Sequence, residues 1–186
     1  MAIRNLSQAV GSLTYKDRVP SNTRCVARCI NEEFKPSKST GNPMIVREWE
    51  IVLPETVNVN GTPKIIAGQK LMQYLPTIVF GPDGTRDDEK SNKALSRVRD
   101  ENDALGISNE NFDDENPNLE AKGLQADILV SSEERELRTD PTPEELAQGK
   151  TVGQPILGDD NKPMKRYSLR LAMVLGRSTV DTGRPY

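Results

Sequence analysis

Two stretches of the chain alternate apolar and polar residues with a period of two, the spacing that places successive side chains on opposite faces of a β-strand. In TRCVARCI (residues 23–30), small residues share one face, and Arg24 and Arg28 share the other. KRYSLRLAMVLG (165–176) has Arg166 and Arg170 on one face. Its other face is predicted to hold Tyr167, Leu169, Leu171, Met173 and Leu175. The alternation predicts a mainly β protein.

Three more extended segments and one helix are predicted between these strands. The extended segments are residues 44–53, 64–80 and 123–132, and Gly68 and Pro76 are expected to break the second of them. An Asn-Gly pair at 60–61 is typical of a tight hairpin turn. The helix spans residues 87–105, because acidic residues favour its start and a glycine follows its end.

The resulting order is three strands, a helix and two strands, which is the order of the five-stranded OB-fold barrel. We assign residues 1–20 to an N-terminal arm, 21–176 to the barrel domain and 177–186 to a C-terminal tail. Long acidic loops are expected on the barrel, the longest at 131–164, with a single helical turn at TPEELAQ.

The residue types argue against an enzyme. The chain has no histidine and two cysteines, Cys25 and Cys29. Ser–His and Cys–His catalytic arrangements therefore cannot form. Four residues apart on a strand, the two cysteines are about 13 Å apart, too far for a disulfide, and a zinc site usually needs four ligands. We expect no catalysis, no cofactor, no metal and two buried, reduced thiols.

Charge is distributed unevenly along the chain. The net charge is −3, but residues 83–145 contain 19 Asp and Glu against 8 Lys and Arg, a net of −11. The remaining residues carry a net of +8. Because binding depends on where charge lies, the acidic total does not exclude a polyanionic partner. The alternative is that the acidic loops only keep the protein soluble.

Basic side chains and aromatic rings are the groups that hold a single nucleic-acid strand. If the first and last strands are neighbours, their arginines gather in one outer groove, and a basic loop at 31–43 reaches over it. The basic candidates are Arg24, Arg28, Lys35, Lys38, Arg47, Lys165, Arg166 and Arg170. The aromatic candidates are Phe34, Trp49, Tyr74 and Tyr167.

Each candidate also has a structural interpretation. The strand face opposite Trp49 carries two glutamates, which are costly to bury, so a core position is favoured for Trp49. Tyr167 lies among leucines, and a core position is favoured for it too. Tyr74 fits either role. Phe34, beside the basic loop, is the aromatic that we most expect to contact bases. Lysines in a loop of this composition are often only solvated.

FKPSKSTGNPMIVREWEIV (34–52) and SNKALSRVRDENDALGI (91–107) resemble the phage-type single-stranded DNA-binding proteins with an OB-fold. In that family a Lys/Ser-rich loop leads into the second strand, and a helix of this kind separates strands three and four. Residues 123–130 and 165–175 are similar to the family's last two strands. The resemblance covers residues 20–176. It implies sequence-nonspecific binding of single-stranded DNA in phage DNA replication or recombination, with replication or recombination proteins as candidate partners.

One departure concerns the C-terminal tail. Many family members carry an acidic tail that recruits replication proteins, whereas this sequence ends TVDTGRPY. Recruitment through the tail is therefore in doubt. The acidic loops in the middle of the chain are hypothesised instead to compete with DNA for the arginines.

A structural or virion β-barrel that contacts other subunits is the alternative to a DNA-binding protein. An aromatic content of only 4% weakens the DNA-binding interpretation, because stacking surfaces are few. The oligomeric state stays open. No run approaches the ~18 apolar residues that span a bilayer, and MAIRNLSQAVGSLTY lacks a signal pattern. We expect no membrane partner and a cytoplasmic location, in the host cell if the chain is phage-encoded.

Overall fold

The computed structural model describes residues 11–14, 16–150 and 152–180, and its strands make the protein mainly β, as predicted. The strands are β1 (Gly11–Ser12), β2 (Thr23–Pro36), β3 (Pro43–Leu53), β4 (Thr56–Val59), β5 (Thr62–Ile65), β6 (Lys70–Pro76), β7 (Gln125–Glu136) and β8 (Lys165–Arg177). The helices are α1 (Asp88–Leu105), between β6 and β7, and α2 (Pro143–Ala147), between β7 and β8.

Five strands form the main sheet, in the order β6-β3-β2-β7-β8, and every neighbouring pair is antiparallel. Strands β1, β5 and β4 form a second, smaller sheet that the sequence pattern did not predict. The first and last strands of the predicted barrel are not neighbours in this sheet, because β7 lies between β2 and β8. The edge strands β6 and β8 approach each other within 8 Å between Cα atoms but do not pair.

Tight turns lie where glycine and asparagine predict them. Asn60 and Gly61 both have positive φ, 51° and 82°, and join β4 to β5. Gly68, with φ 81°, separates β5 from β6, so the predicted broken strand is two strands in different sheets. Its N–H donates to the carbonyl of Ile51 at 2.8 Å, which ties this turn to β3.

The helix prediction is confirmed together with both of its ends. Asp87 is the N-cap, and its side chain accepts a hydrogen bond from the backbone N–H of Lys90. Gly106 closes the C-terminus in the left-handed conformation with φ 69°, which glycine adopts without steric cost. The acidic segment 107–120 is irregular, as expected.

A one-residue bulge in β2 changes which side chains face the core. Cys29 pairs with Trp49 and Asn31 pairs with Glu48, so Ile30 has no partner on β3. Before the bulge Cys25, Ala27 and Cys29 are buried, and after it Glu32 is buried instead. The strand also continues to Pro36, so the predicted loop at 31–43 is reduced to residues 37–42.

Strand β8 also contains bulges, and its predicted apolar face is wrong in part. Leu171 and Val174 are buried, whereas Met173 is 55% exposed and Leu175 is exposed beside it. The register shifts in the β7–β8 pairing lie next to these residues. The inserted residues move Val174 inward and Met173 outward, which strict alternation cannot anticipate.

The main hydrophobic cluster lies on the inner face of the main sheet and includes Cys25, Cys29 and Trp49. Val19, in the predicted N-terminal arm, is buried in the same cluster, and its N–H donates to Ser132 Oγ at 2.7 Å. Residues 16–20 of the arm are therefore attached to the fold. Of the C-terminal tail, residues 181–186 lie outside the described residues.

The long loop between the last two strands covers 137–164, because β7 continues to Glu136, beyond its predicted end, whereas β8 begins at Lys165 as predicted. Its helical turn is α2, which begins with a capping box between Thr142 and Glu145. The backbone N–H of Leu137 donates to the carbonyl of Met164 at 2.8 Å and closes the loop. None of the described residues from 137 to 164 belongs to either hydrophobic cluster.

Candidate nucleic-acid interface

The outer face of β6 carries exposed apolar side chains near one end of the main sheet. Along β6, Leu71, Gln73 and Leu75 are buried, and the alternate residues point outward. Met72 is 44% exposed and Tyr74 is 53% exposed. Successive residues on one face of a strand are about 7 Å apart, so these two side chains form a short apolar track on the surface.

This track forms one wall of a cleft of about 490 Å³. Strands β6 and β3 contribute Met72, Tyr74, Pro76 and Met44. The β2–β3 hairpin contributes Lys35 and Lys38, together with polar groups of Ser37, Thr40 and Asn42. The cleft therefore combines an aromatic ring, thioethers, two ammonium groups and hydroxyl and amide groups.

The loop that carries Lys38 is held by its own hydrogen bonds. The N–H of Ser37 donates to the carbonyl of Asn42 at 2.8 Å, and the N–H of Gly41 donates to the carbonyl of Ser37 at 2.9 Å. Gly41 has a φ of 72°, a conformation that favours glycine. The GNP segment of the sequence thus forms a compact turn that projects Lys38 over the cleft.

The two lysines differ in their electrostatic surroundings. Lys35 forms an ion pair with Glu33, two residues earlier on the same strand. Lys38 is exposed and has no ion pair with any residue that the structure describes. An anion entering the cleft would meet the charge of Lys38 directly, whereas it would compete with Glu33 for Lys35.

The predictions that Arg47 and Trp49 contact nucleic acid are wrong, because both side chains are buried inside the sheet. Arg47 donates from Nε to Glu32 at 2.8 Å and from Nη2 to Asn102 of α1 at 2.7 Å. Trp49 donates from Nε1 to Gln73 Oε1 at 3.0 Å. The indole is thus in the core, as its strand pattern favoured, and its neighbour Arg47 is compensated by polar partners.

The rings of Phe34 and Tyr167 are also less accessible than rings that stack on nucleic-acid bases. Phe34 is half-buried and packs against the second cluster, formed by Ile45, Leu75 and Val98. The bulge in β2 turns it inward, which corrects its assignment as the main base-contacting residue. Tyr167 is half-buried and donates from its hydroxyl to Glu134 at 2.9 Å.

The predicted groove of four arginines does not form, because the arginines are spread along the sheet. Arg28 lies opposite Gln125 of β7, and Arg166 lies opposite Arg135 of the same strand. Ten residues of β-strand separate Gln125 from Arg135, about 33 Å. Lys35 and Lys38 lie at the other end of β2 from the β7–β8 loop.

Several of these basic residues are engaged in ion pairs. Arg24 contacts Asp127 at 2.5 Å, and hydrogen bonding from Arg24 lowers the pKa of that carboxyl. Arg28 contacts Glu50 at 3.3 Å. Lys165 contacts Glu134 at 2.7 Å, and this hydrogen bond raises the pKa of Lys165. Arg166 and Arg170 are exposed on β8.

Both cysteines are buried and free. No group of three or more His, Cys, Asp or Glu side chains is arranged to hold a metal ion among those residues. Burial raises the pKa of Cys25 to about 11 and that of Cys29 to about 12, so both thiols stay protonated near neutral pH. No helix within the described residues is long and apolar enough to cross a membrane.

Three predicted site residues, Lys35, Lys38 and Tyr74, thus meet in one cleft. Sequence reasoning missed Met44, Met72 and Asn42. The signal for Met72 and Tyr74 was present in KLMQYLP, where Lys70, Met72 and Tyr74 alternate with Leu71, Gln73 and Leu75. No protein-family model, curated protein or solved structure matches the chain.

Proposed function

We propose that this protein binds single-stranded DNA without strong sequence preference, in the cleft between β6 and the β2–β3 hairpin. The observation that carries the proposal is the meeting of Tyr74 and Met72 with Lys35 and Lys38 around one cleft. Sequence-tolerant binding of a single strand combines stacking surfaces for bases with cations for phosphates. In a duplex the base faces are already stacked, so an exposed ring such as that of Tyr74 favours unpaired bases.

The strand order supports an OB-type barrel as the scaffold. If the five strands of the main sheet are numbered in chain order, their order across the sheet is 3-2-1-4-5. In an OB-fold, closure of the barrel brings strand 3 beside strand 5. Here these are β6 and β8, the two edges that approach each other. OB-folds bind oligonucleotides on the face of strands 2 and 3 and with the loops between strands 1 and 2 and between strands 4 and 5. The face and the first loop correspond to β3, β6 and residues 37–42, which form the cleft, whereas the second loop corresponds to residues 137–164, which do not line it.

The test is a binding titration of the full chain with labelled oligo(dT) and with a duplex of the same length. We expect tighter binding of the single strand and a steep loss between 50 and 200 mM salt, with a slope of about −0.7 per phosphate contact. Tyr74→Ala should weaken binding by roughly 5- to 150-fold, the range for one lost stacked base. Tyr167→Ala, which removes a half-buried ring outside the cleft, is the matched control and should bind normally.

Two results would contradict the proposal. One is the absence of binding at micromolar protein in 50 mM salt. The other is equal loss in the Tyr74 and Tyr167 variants, which would place the contact elsewhere. Within this proposal, coating of single strands during phage DNA replication or recombination is the role that such binding would serve.

A structural protein that contacts other subunits is the second candidate, and one observation favours it. Met173 and Leu175 are both exposed on β8, which is an edge strand of the main sheet. Exposed apolar side chains on an unpaired edge are typical of surfaces that bind another chain. Light scattering of the wild type and of Met173→Lys tests this second candidate. It requires that the wild type forms an assembly and that the variant dissociates.

A further inference from the structure

Phe80 is the phenylalanine that the described structure leaves on the surface. The sequence contains three phenylalanines. Phe34 and Phe112 pack against the second hydrophobic cluster, whereas Phe80 is 40% exposed and belongs to neither cluster. A single exposed apolar residue is common on protein surfaces, so its significance depends on how it is held and what lies beside it.

The backbone around Phe80 is fixed by hydrogen bonds on both sides. Val79 donates its N–H to Ser91 Oγ at 2.9 Å and accepts from the N–H of Asp87 at 2.8 Å. Gly81 donates to the carbonyl of Thr85 at 2.7 Å, which closes the following turn. The ring is therefore carried by an ordered segment against the start of α1, so little backbone entropy would be lost when it contacts a ligand.

Asn42 connects this segment to the cleft. Its Oδ1 accepts a hydrogen bond from the N–H of Phe80 at 3.1 Å, across 38 residues of sequence. Asn42 itself lines the cleft. Because the carbonyl end of the side-chain amide is occupied by Phe80, its NH₂ group is the end left for other partners. The backbone of Phe80 therefore lies beside the 37–42 loop, in contact with a side chain that lines the cleft.

We propose that Phe80 is a second base-contacting residue, held beside the cleft by Asn42, so that the bound strand continues from Tyr74 past the hairpin loop to Phe80. This inference rests on the proposed function and extends the site beyond the end of β6. Tyr74 and Phe80 then contact different bases of one DNA strand. Lys38 lies between the DNA and the 37–42 loop and neutralises phosphate charge.

Trp49 makes a fluorescence test possible, since it is the one tryptophan in the sequence and is fully buried. Tryptophan introduced at an exposed position therefore reports contact at that position above a constant background. Three single variants of the full chain would be titrated with oligo(dT): Tyr74→Trp, Phe80→Trp and Leu146→Trp. Leu146 is exposed on α2, in the loop at the far end of the sheet, and serves as the control.

We expect DNA to quench the new fluorophore at positions 74 and 80 and leave the one at 146 unchanged. Quenching at 74 without quenching at 80 overturns the inference about Phe80 and leaves the proposed function standing. No quenching at either position, with no binding by the wild type, overturns both. Equal quenching at all three positions means diffuse contact and also overturns the inference.

Affinities give a second, independent readout. Phe80→Leu keeps an apolar side chain but removes the ring, and it should weaken oligo(dT) binding by roughly 5- to 150-fold. Asn42→Ala should reduce the quenching at position 80 more than that at position 74, because it removes the acceptor that holds Phe80. Wild-type affinity in Phe80→Leu would overturn the inference whatever the fluorescence shows.

Discussion

Arg47 donates from Nε to Oε1 of Glu32 at 2.8 Å, and both side chains are almost completely shielded from solvent. The same carboxylate accepts the backbone N–H of Ala121 at 2.6 Å, and Arg47 reaches Asn102 on α1. The pair therefore joins β2, β3, α1 and the segment before β7. These polar partners explain why an arginine in the middle of a strand can be part of the core.

Removal of one partner should be costly, because the other charge stays buried. We predict that Arg47→Met lowers the free energy of unfolding by about 3–5 kcal/mol, measured by urea denaturation with Trp49 fluorescence. Glu32→Gln combined with Arg47→Met leaves no buried charge in the pair and should recover part of the loss. A change below about 1 kcal/mol in the single variant would mean that the pair contributes little.

The sequence patterns predicted the strands and the helix better than the orientation of individual side chains. The helix caps at Asp87 and Gly106 and the Asn60–Gly61 turn follow from local chemistry, so they could be identified directly. The orientation of Phe34 and Met173 depends on bulges, which are set by pairing between distant strands. A single inserted residue reverses every later assignment of inward and outward faces.

The candidate site was predictable only where local sequence chemistry decides which side chains are exposed. Lys38 lies in a turn whose composition implies exposure, and the structure agrees. For Tyr74 the sequence leaves both roles open, because the residue lies near an expected strand break. Its outward orientation follows from the burial of its neighbour Gln73. Gln73 is inside because Trp49 and Glu101 satisfy its amide group, a contact between segments that no local pattern contains.

The thiols should make stability fall at alkaline pH. Burial raises the pKa of Cys25 from 9.0 to about 11 and that of Cys29 from 9.0 to about 12. Above pH 9 the unfolded chain therefore releases protons that the folded chain retains, which favours unfolding until pH reaches the folded values. We predict a loss of roughly 1 kcal/mol per thiol between pH 8 and pH 10.

Urea denaturation at these two pH values measures this loss. Cys25→Ala combined with Cys29→Ala is the control, because its stability should fall less over the same interval. Lysines and tyrosines also titrate in this range, and they do so equally in both proteins. An identical fall in the wild type and the double variant would contradict the assignment to the thiols.

The long loop should be dispensable for folding. No described residue of the loop belongs to either hydrophobic cluster. The ion pairs Glu145–Lys150 and Asp160–Lys162 each join two residues of the loop itself. Replacement of residues 139–161 by a short Gly/Ser linker keeps Leu137 and Met164 and should leave the circular dichroism spectrum intact. The melting temperature should change by no more than about 4 °C. Insoluble or unfolded protein would show that the loop packs on the main sheet.

This loop lies at the opposite end of β2 from the cleft, so it is poorly placed to compete with DNA there. We predict that the shortened protein binds oligo(dT) with unchanged affinity at both 50 and 200 mM salt. Tighter binding at low salt alone would restore the hypothesis of an acidic loop that competes for the basic groups. At 0.15 M salt, exposed charges more than about 8 Å apart are largely screened from each other.

Lys35 and Lys38 should account for a defined part of the salt dependence. We predict that Lys35→Ala combined with Lys38→Ala weakens oligo(dT) binding and makes the salt slope shallower by about 1.4, for two lost phosphate contacts. The free energy of unfolding should change by no more than about 0.5 kcal/mol. Lys150→Ala combined with Lys162→Ala removes the same charge from the long loop and should leave the slope unchanged. Equal slopes in both double variants would remove the two hairpin lysines from the site.

The last prediction concerns Glu33, which forms an ion pair with Lys35 at the edge of the cleft. A phosphate that binds Lys35 must displace this carboxylate or lie beside it, and both cost free energy. Glu33→Gln should therefore tighten oligo(dT) binding at 50 mM salt, and the gain should shrink at 200 mM as screening weakens the repulsion.

Glu133 offers a close control, because it pairs with Arg135 at 3.0 Å, also two residues along a single strand. Glu133→Gln changes the net charge equally but lies at the far end of the sheet, so its affinity should stay at the wild-type value. If both variants gain equally, total charge rather than the local pair is responsible. If neither gains, Glu33 does not compete with the strand, and Lys38 alone supplies the cationic contact of the hairpin.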